Sequence, residues 1–137
     1  MSIKDEDFLA SAITSFKLDS EIGYRNAISR AYYSTYHKSL ARVTKMPKAR
    51  GSHHAALINY LESQECCKNE KYPAETLKEL ARSMRQLRGM RNRADYNLDT
   101  IITEGTAADH LMLARRIYAL WGDLLEHLDN HEAEVLS

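Results

Sequence analysis

Two cysteines, two prolines and five glycines are all that this 137-residue chain carries of the residues that staple, kink or loosen a backbone. The cysteines, Cys66 and Cys67, are adjacent and would pair only through a strained small ring. No stapling disulfide is therefore expected, and a reducing compartment fits. Charge of one sign is also missing: 19 Lys and Arg balance 19 Asp and Glu. The molecule is thus not a polycation that would coat nucleic acid indiscriminately, and an anion-binding surface has to come from local segregation. No apolar run approaches the roughly 20 residues needed to cross a bilayer. The acidic start, Met-Ser-Ile-Lys-Asp-Glu-Asp, lacks the basic and then apolar order of a secretory signal. These absences predict a soluble, cytoplasmic protein with no membrane partner. Gly-rich phosphate loops, a nucleophile elbow and metalloprotease signatures are absent too, and no cofactor is expected.

What is present is helical periodicity. The length suits one domain (1–137) with one core, about 8–128, and an acidic tail over 130–137. No stretch alternates polar and apolar residues long enough for a sheet, so the spacing predicts an all-α, up-and-down bundle of about five helices. Phe8, Leu9, Ala12, Ile13 and Phe16 mark the first. Asp19 or Ser20 can cap the second, which carries Ile28, Ala31, Tyr32, Tyr36, Leu40 and Val43. Pro47 and Gly51 interrupt the pattern. Ser52 opens a short third helix with Leu57, Ile58 and Leu61, followed by a polar stretch from Ser63 to Tyr72. Pro73 precedes a fourth striped by Leu77, Leu80, Ala81, Met84 and Leu87. Thr106 with Asp109 makes a capping pair for the last, lined by Leu111, Ala114, Ile117, Tyr118, Trp121, Leu124, Leu125 and Leu128.

Cations segregate in two places. Lys38 to Arg50 holds five with no acid, and Lys78 to Arg93 holds six against Glu79 alone. The ladder Arg82, Arg85, Arg88 and Arg91 drifts by about 60° at each step of three, which either follows a phosphate backbone or spreads over a solvated face that meets neighbouring acids. Tyr96, Tyr72 and Tyr60 are the aromatics near enough in sequence to stack on bases. His53 with His54, and Cys66 with Cys67, lack the gap that lets both members of a pair reach one metal, so no metal site is expected. One of these histidines packs at the helix start on this reading. His127 and His131, one turn apart, would bind a metal only adventitiously.

Two polar runs carry the most information. On the second helix Asn26, Ser29, Arg30, Tyr33 and His37 share one face, because steps of three and four return to nearly the same direction. That face borders the apolar stripe, so it is either a satisfied internal network or a ligand-facing cleft. The second run, Arg88-Gly-Met-Arg91-Asn-Arg93-Ala-Asp95-Tyr96, ends the fourth helical pattern.

Ser29-Arg30-Ala31-Tyr32-Tyr33 with an aromatic at Tyr36, His37, and the later Ala94-Asp95-Tyr96 resemble the HEPN superfamily over about residues 8 to 128. The resemblance implies a helical bundle, frequent homodimerisation, and association with RNA or nucleotides through Arg88, Arg91, Arg93, Tyr96, Arg30 and His37. It also implies a toxin–antitoxin or defence setting, with a nucleotidyltransferase-like antitoxin as a partner. Active HEPN ribonucleases use an arginine, four to six residues, then a histidine, without metal. The imidazole titrates near neutrality and moves the proton of the attacking 2′-hydroxyl, while the guanidinium neutralises the crowded phosphate. Here Arg91 is followed by Tyr96 in place of that histidine, and a phenol of ordinary pKa near 10 is a poor base at neutral pH. Arg30 and His37 match the spacing literally but on another helix, as chance alone would produce. Three readings follow: an RNA- or nucleotide-binding protein, an endoribonuclease toxin using Arg91 and Tyr96 with Arg30 or His37, and a non-catalytic interaction module. A structural network of Ser29, Arg30, Tyr33 and Asp95 is expected, with Arg30 pairing with Asp95 across the second and fourth helices.

Overall fold

The computed structural model describes the backbone of residues 2–48 and 51–136, and side chains within them as far as residue 126. It is all-helical, with six helices where apolar spacing predicts five: α1 (Asp5–Phe16), α2 (Glu21–Leu40), α3 (His53–Leu61), α4 (Gln64–Glu70), α5 (Ala74–Tyr96) and α6 (Glu104–Leu136). The additional helix, α4, lies in the polar stretch after Ser63. Its seven residues are too few and too polar to show a stripe, and it begins because the Ser63 hydroxyl accepts the Cys66 amide at 3.2 Å. No helix among the described residues is long and apolar enough to cross a membrane.

Of the two candidate caps for α2, Ser20 is the one used, accepting from the Gly23 amide at 3.2 Å. A side chain at position 23 would meet the Ser15 carbonyl oxygen at 2.5 Å, so glycine is what lets the end of α1 approach the start of α2 so closely. The start of α6 differs from expectation. Thr106 is inside the helix, and Thr103 supplies the cap by accepting the Thr106 amide at 3.2 Å. The backbone of the acidic tail continues α6 to Leu136, while the side chains of Leu128, His127 and His131 lie outside the described residues, as does Arg50.

Cross-helix contacts set the directions. Asp5 meets Ser34 while the end of α1 meets Gly23, Arg25 meets Ala94 while Ser39 meets Met84, and Ser34 and Ser39 meet Tyr118 and Trp121 in the same order, so α1, α2, α5 and α6 alternate up and down. The central helix is α2, which packs on the other three. Trp121, Tyr32, Ile28, Met84 and Leu87 are fully buried around it. The Trp121 Nε1–H donates to Ser39 Oγ at 2.9 Å, which removes an orphan donor from the core. Helices α3 and α4 form an excursion between α2 and α5.

Glu70, at the end of α4, ties that excursion down. Its carboxylate accepts from the Thr44 and Lys45 amides at 2.9 Å each, the Thr44 hydroxyl at 3.0 Å and the Tyr60 phenol at 2.6 Å. Burial alone would raise its pKa, but the four donors together outweigh it and hold the carboxyl below its ordinary 4.5. A depressed folded value means stabilisation that is complete above that ordinary value and is lost as pH falls through the folded one. Urea unfolding of wild type and Glu70→Gln is expected to show a stability gap that narrows as pH is lowered from about 6 towards 3. A gap independent of pH would assign the network to the neutral acid.

Candidate functional site

The polar face of α2 meets the last turns of α5. Ser29 Oγ donates to Asp95 Oδ2 at 3.1 Å, and Arg91 Nε lies 2.9 Å from the same oxygen. The Nε–H is not aimed at an acceptor, so this contact is ionic attraction rather than a directed hydrogen bond. Arg91 Nη2 donates to the Tyr33 phenol oxygen and Nη1 to Asn92 Oδ1 at 3.1 Å. The guanidinium carbon is 5.0 Å from the Tyr33 ring centre and 5.4 Å from that of Tyr96. Two aromatic rings thus hold the cation, and one of them, Tyr96, is 72% exposed.

The expected network is therefore present in three of its four members, with Arg91 in the place foreseen for Arg30. Arg30 is exposed and forms no ion pair among the described residues. The reason is register. Residues 25, 29 and 33 are four apart and face α5, whereas position 30 is turned about 100° away. The guanidinium that α2 does insert is Arg25, which is buried. Its Nη1 donates to the Ala94, Asn97 and Arg93 carbonyls at 2.9, 3.1 and 3.4 Å, its Nη2 to the Thr100 carbonyl, and both Nε and Nη2 to Glu21. The Arg93 and Asn97 carbonyls also accept the Asn97 and Thr100 amides, whereas Ala94 and Thr100 rely on Arg25, all of them at the end of α5 where the macrodipole is negative or in the connector beyond it. The four-residue step from Arg25 to Ser29 and Tyr33 is the sequence signal that identifies it.

The start of α3 closes the other side. Ser52 caps the helix, accepting the Ala55 amide at 3.3 Å, and also accepts Arg88 Nη2 at 3.4 Å. His54 packs at the helix start as expected of one histidine of the pair. Its Nδ1 is 2.7 Å from the Tyr32 phenol oxygen, and its ring centre is 4.0 Å from that of Tyr36 and 6.0 Å from that of Tyr33. Burial, then Arg88, Arg91, His37 and His53, push its pKa down, so the imidazole is neutral near pH 7. His37 is exposed and stacks on Phe8 at 5.3 Å. The position of His54 two residues after a helix cap is the only hint the sequence offers.

Other expected residues fall elsewhere. Arg93 lies about 200° from Arg91 around α5 and so does not join it. It lines a separate cavity of about 300 Å³ with Arg85, Met90 and His110. Arg85 is bound by Glu62 at 2.8 and 3.1 Å, so the arginine ladder does not act as one stripe. Tyr60 and Tyr72 are buried and cannot stack on bases, being bonded to Glu70 and to the Arg42 carbonyl. Burial pushes the Cys66 thiol up to about 12, which opposes the thiolate a metal would require. No family model, curated protein or solved structure matches the chain.

Chemically, the surface joining α2, the start of α3 and the end of α5 offers Arg88 and Arg91, the imidazoles of His37 and His54, and two phenol rings, with Asp95 the carboxylate that meets Arg91 among the described residues. It can neutralise phosphates and stack a base on Tyr96. The Tyr96 hydroxyl bonds to no described residue, and its ring lies against the Arg91 guanidinium.

Proposed function

We propose that the protein binds RNA on this surface and holds the strand without cleaving it. The observation that carries the reading is the Arg91 guanidinium fixed between Tyr33 and the exposed Tyr96, one helical turn from Arg88. Guanidinium groups recognise phosphate, and an exposed ring beside them stacks on a base whatever its identity. The HEPN-like motifs agree with such a role. Leu18, Ile22, Leu98 and Ile101 are exposed at the end of the bundle where α1 and α5 finish. A homodimer across that end covers this apolar surface and brings two copies of the site together.

Fluorescence anisotropy with a labelled single-stranded RNA tests the reading. Binding is expected to weaken with salt, and Arg88→Ala and Arg91→Ala are each expected to lower the slope of log affinity against log salt by about 0.7. Sedimentation of the same samples is expected to show a dimer. The imidazoles beside the arginines favour one rival, metal-independent cleavage. RNA cut by wild type in chelator, and spared by Arg91→Ala, would replace binding with catalysis. Absence of any RNA binding would remove both.

A further inference from the structure

The ring of His54 is fixed on several sides, with one nitrogen against the Tyr32 phenol and the second without a partner among the described residues. Its hydrogen-bonding state follows from Tyr32. That residue is fully buried, and its phenol touches a single polar partner, His54 Nδ1 at 2.7 Å. A buried O–H without an acceptor is costly, and Nδ1 is the acceptor available. The phenol therefore donates, Nδ1 carries the lone pair, and the proton of the neutral imidazole sits on Nε2.

The surroundings keep that state. Tyr32, Tyr33 and Tyr36 face the ring from α2, where His37 lies nearby. His53 adjoins it on α3, and Arg88 and Arg91 act on it from α5. No carboxylate stands among them to favour an imidazolium. A neutral Nε2–H beside two guanidinium groups calls for an acceptor that is also an anion, and a phosphodiester oxygen meets both demands.

We propose that His54 is a phosphate-binding residue, a neutral donor whose tautomer is set by Tyr32 and which acts beside Arg88 and Arg91. This rests on the RNA-binding reading and specifies a residue outside both sequence motifs. It also denies His54 the part of proton carrier. To accept a proton at Nε2 the ring would have to shift its own proton to Nδ1 and strand the buried Tyr32 hydroxyl.

The test uses the same labelled RNA with wild type, His54→Ala, His54→Gln and Tyr32→Phe. His54→Ala is expected to bind about tenfold more weakly, the worth of one hydrogen bond to a charged group. Because the donor is neutral, its salt slope should equal that of wild type, whereas Arg88→Ala reduces it. His54→Gln, which keeps an amide donor at a similar reach, should recover most of the affinity. Tyr32→Phe should weaken binding while its circular dichroism stays native. Imidazole nitrogen NMR at pH 7 should show His54 protonated at Nε2 in wild type. Wild-type binding that His54→Ala leaves intact, a salt slope reduced as by loss of a cation, or an Nδ1–H tautomer would each overturn the proposal while leaving the RNA-binding reading standing. A wild type that binds no RNA overturns both, and the NMR tautomer then decides separately whether Tyr32 sets the ring.

Discussion

Arg25→Ala is expected to destabilise the protein by about 3 kcal/mol or more, the largest loss from any single polar side chain described, because it strands the Ala94 and Thr100 carbonyls and takes a second donor from two others at once. Arg25 donates to the Arg93, Ala94, Asn97 and Thr100 carbonyls and to Glu21, so it closes the end of α5 and fastens the connector that follows. For a chain of this size that loss lowers the melting temperature by roughly 10 °C. Arg25→Lys should recover little, since an ammonium is a point charge and cannot span the fan of acceptors that a planar guanidinium reaches. Thermal unfolding followed by circular dichroism checks both variants. A loss below about 1 kcal/mol would mean that water replaces these bonds at no cost.

A second large effect is expected at Arg91, on binding rather than stability. Removing it takes away a phosphate ligand and also leaves Asp95, whose side chain is only 25% exposed, as an unneutralised negative charge on the binding surface. Arg91→Ala is accordingly expected to weaken RNA binding about a hundredfold, near 2.7 kcal/mol. Asp95→Asn alone should tighten it, because the guanidinium then keeps its full charge for the ligand. The double variant should recover part of what Arg91→Ala loses, a coupling that a double-mutant cycle measures directly. Equal weakening by Arg91→Ala with and without Asp95 would mean that the pair does not act as a unit.

The long helices are legible in the sequence because each carries an apolar stripe over several turns, and burial of Ile28, Tyr32, Leu77, Met84, Ile117 and Trp121 follows that stripe. Helix α4 is not legible. Seven residues, QECCKNE, contain no period, and their order comes from the Ser63 cap and from Glu70 finding four donors supplied by a loop and by α3. The site divides in the same way. The acid–arginine–phenol cluster is visible as composition, and Ser29, Tyr33, Asp95 and Arg91 do converge. Asp95 takes its cation from one turn earlier on its own helix, Arg91, because α2 turns Ser29 towards it and leaves Arg30 about 100° away. His54 is further from reach, since it joins the cluster only because α3 packs on α5 and sets its ring against Tyr32 and Tyr36, and no local pattern encodes that packing.

The α3–α4 excursion is held to the long helices by His54 to Tyr32, Ser52 to Arg88, and Asn59 and Glu62 to Arg85, over the apolar contact of Leu57, Ile58 and Leu61, while the Glu70 cluster fastens α4 to α3 and to the loop after α2. The proposed ligand surface straddles the seam between this unit and the bundle. A strand bridging Arg91 on one side and His54 on the other therefore acts as a clasp, and its binding free energy adds to the work needed to peel the excursion away. Occupancy of the surface and the local opening of α3 become two readings of one equilibrium.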